Sequence, residues 1–458
     1  MPNDTLPARP ALLGSAHLGL DEFGPEVRNR ALIERRLQHV AGSILFFHDP
    51  VHMVRGEGVW LFDDAGRRYL DCYNNVASVG HCHPDVVTAL AGQAAQLNTH
   101  TRYLHEGIVE YAEKLTSLMP EGLDVCTFVC TGTEANDLAL RIARTVTGHA
   151  GAIVMESGYH GNSGTIDALS LLAHPDPADR PGWVEAVEPP NTYRGTYRRG
   201  RDQDLGARYA RLVAGAAGNL AERGHGTAAF LCDTIFDSQG GLEAPADYFR
   251  LAYEHVRAAG GLCIADEVQA GLARTGRWWG FEHYGVVPDI VTLGKPMGDG
   301  HPIGVVVTSR EIAEAFTSLA VYFNTFGGNP VSAAVGKAVL EVCEREELPG
   351  RCRDTGAALR ARLEELQRRY AVIGDVRGLG TFLGVELVED PQALTPAASL
   401  ARQIPDAMKE RGVLIGLSGR HGNVLKIRPP LTFTADQADL LVDTLDRVLA
   451  DLSPAGRP

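Results

Sequence analysis

Short apolar runs and helical patterns alternate through the middle of the chain. Residues 126–131, 152–156, 228–234, 262–266, 289–293 and 303–308 are each too short for a helix, rich in apolar residues and bounded by turn formers, which predicts buried strands. Between the third and fourth runs, Tyr248, Leu251, Ala252 and Val256 fall at helical spacing within residues 245–261, and the pattern stops on Gly260-Gly261. Strand, helix and strand at this separation predict a parallel sheet made of βαβ units. Nearer the start, residues 59–70 form two apolar runs about Asp64-Ala65-Gly66, a hairpin pattern. After Pro330 the pattern turns helical over 333–343 and 359–370, then strand-like over 380–387 and 423–428, and ends in an amphipathic helix over 435–452. This predicts a second, α+β domain. Residues 1 to about 30 are interrupted by Pro and Gly and only weakly periodic, as an N-terminal arm is, whether loosely ordered or laid over a partner subunit.

Composition narrows the class. The 458 residues are 45% hydrophobic and 22% charged, which is ordinary for a soluble globular protein and argues against a disordered or fibrous one. A formal net charge of −14 repels phosphate backbones and anionic lipid, so neither nucleic acid nor a membrane surface is an expected partner, and an anionic substrate would need a local basic pocket. The start Met1-Pro2-Asn3-Asp4 lacks a basic leader, and no apolar stretch approaches the ~18 residues of a membrane span, so the expected location is the cytoplasm. Eight scattered cysteines, several inside apolar runs, predict buried thiols and no disulfide framework. His81-Cys82-His83 offers three metal-ligating types in a row, but adjacent side chains diverge and no second cluster has zinc spacing, so structural histidines and no metal are expected. Four arginines between Arg194 and Arg201 read as a solvated loop.

Three segments carry candidate chemistry. The run 126–131 leads into Thr131-Gly132-Thr133-Glu134-Ala135-Asn136 and a helix with Leu138, Ile142 and Val146 on one face. Thr131 and Glu134 have capping-box spacing, so free backbone N–H groups and the positive end of a helix dipole would face a ligand, a fit for phosphate. Gly132 would let the backbone approach and Thr133 would add a hydroxyl, although such caps also occur with nothing bound. The run ending Asp266-Glu267-Val268-Gln269 puts acids at the carboxyl end of a parallel strand, where open α/β sheets bind ligands, or else caps the next helix. In Gly294-Lys295-Pro296-Met297-Gly298 a lysine follows a buried strand. If desolvated it loses its proton below the ordinary value of about 10.4 and can form an imine; otherwise it is a loop lysine.

Phosphate cradle, strand-end aspartate and downstream lysine together match a cofactor with a phosphate, a pyridine nitrogen and an aldehyde. Through Asp266-Glu267-Val268-Gln269 and Gly294-Lys295, 29 residues apart from Asp266 to Lys295, nearly all of residues 45–452 resembles the class III aminotransferase family of pyridoxal-5′-phosphate (PLP) enzymes. The resemblance implies the aspartate-aminotransferase-like α/β fold, with a large, mixed but mostly parallel sheet domain and a smaller α+β domain. The expected organisation is an arm at 1–30, small-domain segments at 31–78 and 331–458, and the PLP-binding domain at 79–330. It further implies Lys295 as the Schiff-base lysine, Asp266 as partner of the pyridine nitrogen, Val268 behind the ring, Gln269 near its phenolic oxygen and Tyr159 stacked on its front. Gly132 and Thr133 would hold the phosphate, joined by Thr325 from the neighbouring subunit of a homodimer or of a tetramer. Asp233 departs from the family, which usually has a glutamate before proline there.

Within the family the chain is most similar to the ethanolamine-phosphate phospho-lyase branch, through residues 70–77, 294–302 and 423–431. Many class III transaminases place an arginine at the position of Lys426, and a lysine does not reproduce its planar fork for a carboxylate. The expected activity is therefore elimination of phosphate from phosphoethanolamine or a similar phosphorylated amino alcohol, giving aldehyde and ammonia. Arg102 and Lys426 are the candidates for gripping the phosphate, and Tyr73 and Asn75 are further pocket candidates. The alternatives are an aminotransferase acting on terminal amines with a keto-acid acceptor and, at the margin, a PLP-binding protein without catalysis.

Overall fold

The structure is a computed structural model that describes residues 16–17, 23, 26–42, 44–74 and 76–453. The expected N-terminal arm lies mostly outside the described residues, and Asn75 lies outside them too. The centre is a seven-stranded sheet of β1 (Val125–Val129), β2 (Gly151–Met155), β3 (Val184–Val187), β4 (Thr227–Asp233), β5 (Leu262–Asp266), β6 (Ile290–Leu293) and β7 (Gly304–Thr308) in the order 1-7-6-5-4-2-3. β7 runs antiparallel to both neighbours, so the other six all point the same way. The sheet is thus the mixed, mostly parallel one expected. Its one reversed strand leaves six carboxyl ends along a single edge.

Strands bury both faces because successive side chains point to opposite sides. On β5, Cys263 joins the apolar cluster of the helices Leu205–Glu222 and Tyr248–Ala258, whereas Ile264 joins that of the helix Gly132–Thr147. The last helix buries Ala135, Leu138, Ala139, Ile142 and Ala143, an i, i+3, i+4 stripe, and stops at Gly148, whose φ of 70° a side chain would resist. The helix at 205–222 has the same amphipathic pattern and went unpredicted.

Three smaller sheets accompany the large one, the smallest being the pair Ala16–His17 and Leu45–Phe46. The expected hairpin is present as Trp60–Asp63 paired with Arg68–Asp71. The strand expected at 380–387 is present as Phe382–Asp390, and an unexpected strand before it, Ile373–Leu379, folds back on it antiparallel; Val424–Ile427 and Gly416–Ser418 continue the sheet. Gly378 and Gly380, both at positive φ, make the reversal that the apolar pattern hid. All eight cysteines are free thiols. His81 sits 2.8 Å from an Asp71 oxygen, and His83 caps the helix Pro84–Ala94, so both act within the protein scaffold. Among the described residues no helix is long and apolar enough to cross a membrane.

The reading of Arg194 to Arg201 as a solvated loop is corrected by the structure. Arg194 pairs with Glu386 and Arg199 with Asp375, and the buried Arg377 joins both acids, 2.6 Å from Glu386 and 3.0 Å from Asp375. Removing one partner of such a buried cluster typically costs about 3–5 kcal/mol, because it strands the others' charge. The loop therefore fastens the large sheet's side of the molecule to the C-terminal sheet. Periodicity could not reveal partners almost 200 residues away.

Candidate active site

The shared edge of carboxyl ends collects the predicted residues. β1 delivers Gly132 and Thr133, β2 leads to Tyr159, β4 ends on Asp233, β5 on Asp266, and β6 runs through Gly294 into Lys295. Gly132, Thr133, Tyr159, Asp233, Asp266, Val268, Gln269 and Lys295 all line one cavity of about 300 Å³. Tyr73 and Lys426 line an adjoining cavity of about 220 Å³ that shares Tyr159, Gln269 and Lys295 with it.

Each wall has a local cause. Thr131 Oγ1 accepts the Glu134 N–H at 3.1 Å, and Glu134 reaches back to the Cys130 N–H at 2.8 Å, so the cap forms as expected but engages Cys130 in place of Thr131. Behind the helix N-terminus two glycines meet: a Cβ on Gly294 would lie 3.0 Å from Gly132 Cα, and one on Gly132 would lie 3.0 Å from both Val268 methyls. Lys295 can start its short 3-10 turn beside the cradle only because both side chains are absent.

The two acids that end β5 have separate roles. Asp266 is buried, and its Oδ2 accepts from Asn136 Nδ2 at 2.9 Å and lies 2.8 Å from His160 Nδ1. A carboxylate only accepts, so that histidine nitrogen carries the proton. Asp266 Oδ1 takes the Val268 N–H at 3.1 Å. Glu267 faces away and receives Thr234 Oγ1, Gly280 N and Phe281 N at 2.7, 2.7 and 3.1 Å, so it caps the turn at Gly280–Tyr284; burial pushes its carboxyl up to about 7. The ligand and capping readings of this motif are therefore divided between adjacent residues.

Burial, and then Arg428, push Lys295 below the ordinary lysine value, against Asp266, Asp237 and Asp233. That favours a free amine. Asp233 accepts the Ile235 and Asp237 N–H groups at 3.1 and 2.7 Å, so the shorter acid fixes the turn after β4; burial, with Asp237 and Asp266 nearby, raises its pKa well above the usual range. Arg428, just past the end of the strand that holds Lys426, is committed to Tyr73 O, Asn74 O and Gln269 Oε1. Only the amide N–H₂ of Gln269 remains free of that bond as a donor.

Arg102 and Thr325 do not line either cavity. Arg102 lies over the Phe323 ring at 4.5 Å, on an exposed apolar patch with Tyr103, Leu104, Val321 and Phe326. Asn136, His160 and Asp237 were missed. Asn136 left one signal, a polar residue on the buried stripe of its helix; His160 and Asp237 left none, since only folding brings them beside Asp266 and Lys426. The donor set suits PLP: a helix N-terminus for a phosphate, a buried carboxylate for a ring nitrogen, and an amine of lowered pKa for an aldehyde.

Comparison with known proteins gives one family. The family model described as aminotransferase class-III matches residues 47–449. The chain is 43% identical over 416 residues to a Drosophila melanogaster protein named alanine–glyoxylate aminotransferase 2-like, covering 89% of this chain and 84% of that one. It is 38% identical over 442 residues to ethanolamine-phosphate phospho-lyase homolog 1 of Caenorhabditis elegans, covering 93% and 94%. A solved phospholyase from Arthrobacter, in complex with phosphoethanolamine, superposes with a TM-score of 0.87 at 41% identity, covering 92% of this chain and 99% of that one.

Proposed function

Because the chain belongs to the class III aminotransferase family of PLP-dependent enzymes, we propose that it eliminates phosphate from O-phosphoethanolamine or a closely similar phosphorylated amino alcohol. The observation that carries this reading is the cation beside Lys295. It is a buried lysine, Lys426, whose three donors suit a phosphate as a point charge and do not fork a carboxylate. Likeness to the phosphoethanolamine-bound phospholyase supports it.

Gly132 and Thr133 would hold the cofactor phosphate at the helix N-terminus, and Asp266, fixed by Asn136 and His160, would keep a proton on the pyridine nitrogen. When bound, PLP supplies an electron sink that acidifies the substrate carbon bearing nitrogen. Lys295 Nζ takes the proton from that carbon, the C–O bond on the next carbon breaks, and Lys426 receives the departing phosphate. Water then releases the two-carbon remainder as acetaldehyde and ammonia, with no second organic substrate. The family resemblance implies a homodimer, and the apolar patch around Phe323, which carries Arg102 and lies next to Thr325, is a surface that a second copy would cover.

Incubation with phosphoethanolamine and no keto acid should yield equal amounts of phosphate, acetaldehyde and ammonia, whereas alanine with 2-oxoglutarate should yield little. The similarity to alanine–glyoxylate aminotransferase 2-like proteins favours the second reading, a transaminase. Keto-acid-dependent transamination without phosphate release from any phosphorylated amino alcohol would establish that reading.

Lys426 also predicts a pH limb. Burial and Arg428 push it down to about 8, against Asp237, with Lys295 as the other facing cation. It is charged below that value and neutral above it. The inhibition constant of inorganic phosphate should therefore rise roughly tenfold per pH unit above about 8. In Lys426→Met the weaker inhibition should show no such limb; a limb unchanged in that variant would remove Lys426 from the phosphate site.

A further inference from the structure

Lys426 Nζ lies 2.5 Å from Asp237 Oδ1, with the two side chains only 10% and 9% exposed. Among the described residues Asp237 is the one ion-pair partner of Lys426. Both line the cavity that Lys295 lines, and Asp237 also lines the neighbouring one with Asp266. The contact is a single one, from Lys426 Nζ to Asp237 Oδ1. Burial works to raise the Asp237 pKa, but Lys426, Arg428 and Lys295 hold it below the usual carboxylate range, so it is ionised at neutral pH.

The main chain of Asp237 is fixed independently of its side chain. Its N–H donates to Asp233 Oδ2 at 2.7 Å, its carbonyl accepts from Ser418 Oγ at 2.5 Å, and the next residue's carbonyl accepts the Gly419 N–H at 3.1 Å. The carboxylate is therefore held within reach of Lys426 whatever else enters. Room for an entrant is the cavity of about 220 Å³ that Lys426 and Asp237 line; the glycines paired with Lys426 on either side, Gly384 and Gly416, are closed over by Gly240 O and the Tyr73 ring.

We propose that Asp237 is a resident rival of the substrate anion, a carboxylate that pairs with Lys426 in the resting site, yields it to an incoming phosphate and reclaims it to expel the product. The identity of the anion rests on the phospho-lyase reading; the competition rests on the geometry alone. A phosphate monoester brings a charge of about −1.5 to −2 and three acceptor oxygens against the single charge of Asp237, so it can displace the carboxylate. Once the ester bond is broken, the fixed negative charge of Asp237 lies beside free phosphate and raises its rate of departure. Without Asp237 the product would bind more tightly.

The test uses the PLP-loaded enzyme and inorganic phosphate as probe, with calorimetric Kd and product-inhibition constant as readouts. Asp237→Asn, and Asp237→Ser as a second variant that keeps every backbone contact of the turn, should each tighten phosphate roughly tenfold at pH 7. In a Lys426→Met background the same substitutions should change it little, because the contested cation is gone. Unchanged or weaker phosphate binding in both Asp237 variants would overturn the proposal, since a carboxylate that merely orients Lys426 or keeps it charged gives that result. Failure of the phospho-lyase reading is separate: wild-type enzyme would release no phosphate from phosphoethanolamine, while the Asp237 variants would still tighten added anion.

Discussion

Lys295→Ala is expected to lower phosphate release from phosphoethanolamine by roughly four orders of magnitude, because one side chain serves as both cofactor anchor and proton carrier. Its amine lies where the carboxyl ends of β1, β5 and β6 converge, and burial there lowers its pKa below the ordinary lysine value. Among the described residues no other lysine lines the 300 Å³ cavity, and Lys426 in the adjoining one is engaged by Asp237. Borohydride reduction of the loaded wild-type protein, followed by peptide mapping, should find the cofactor on the peptide containing Lys295. A label on a different lysine would transfer the role and remove the mechanism given above.

Asp266→Asn should retain the cofactor yet lose roughly a thousandfold in rate, the scale on which a preorganised electrostatic partner in a dry site acts. Retention is expected because the helix N-terminus at Gly132 and Thr133 is untouched. The rate loss is expected because Asn136 and His160 both point donors at Asp266 Oδ2, an arrangement suited to an anion. An amide there removes the charge that holds the ring-nitrogen proton, and its N–H₂ would oppose one of those donors unless it turned away. The measurement is the single-turnover rate at full cofactor occupancy; a variant as fast as wild type would show that Asp266 does not partner the pyridine.

The positions of Lys295 and Asp266 in one cavity were legible in the sequence because each rests on a local pattern. A buried strand that ends in an acid, and another that ends in glycine and lysine, put those groups at the same sheet edge once the strands run in the same direction. The capping-box spacing of Thr131 and Glu134 likewise marked a helix start. The reversal at Gly378 and Gly380 was not legible, since an apolar run looks the same whether it continues or folds back. Arg102, a phosphate candidate through the family resemblance, lines neither of the two cavities about Lys295.

The amino-acid sequence by itself determined the fold class, the mostly parallel sheet and the residues at its carboxyl edge, because periodicity and strand-end chemistry act between residues close in the chain. Tertiary structure alone decided the electrostatics. Asn136 and His160 reach Asp266 across 130 and 106 residues, Arg428 reaches Gln269 across 159, and Lys426 meets Asp237 from the other side of the molecule. Desolvation and charge pairing depend on distances in space that no local pattern encodes, so the shifted amines of Lys295 and Lys426 and the rivalry at Asp237 emerge only when the sheets pack together.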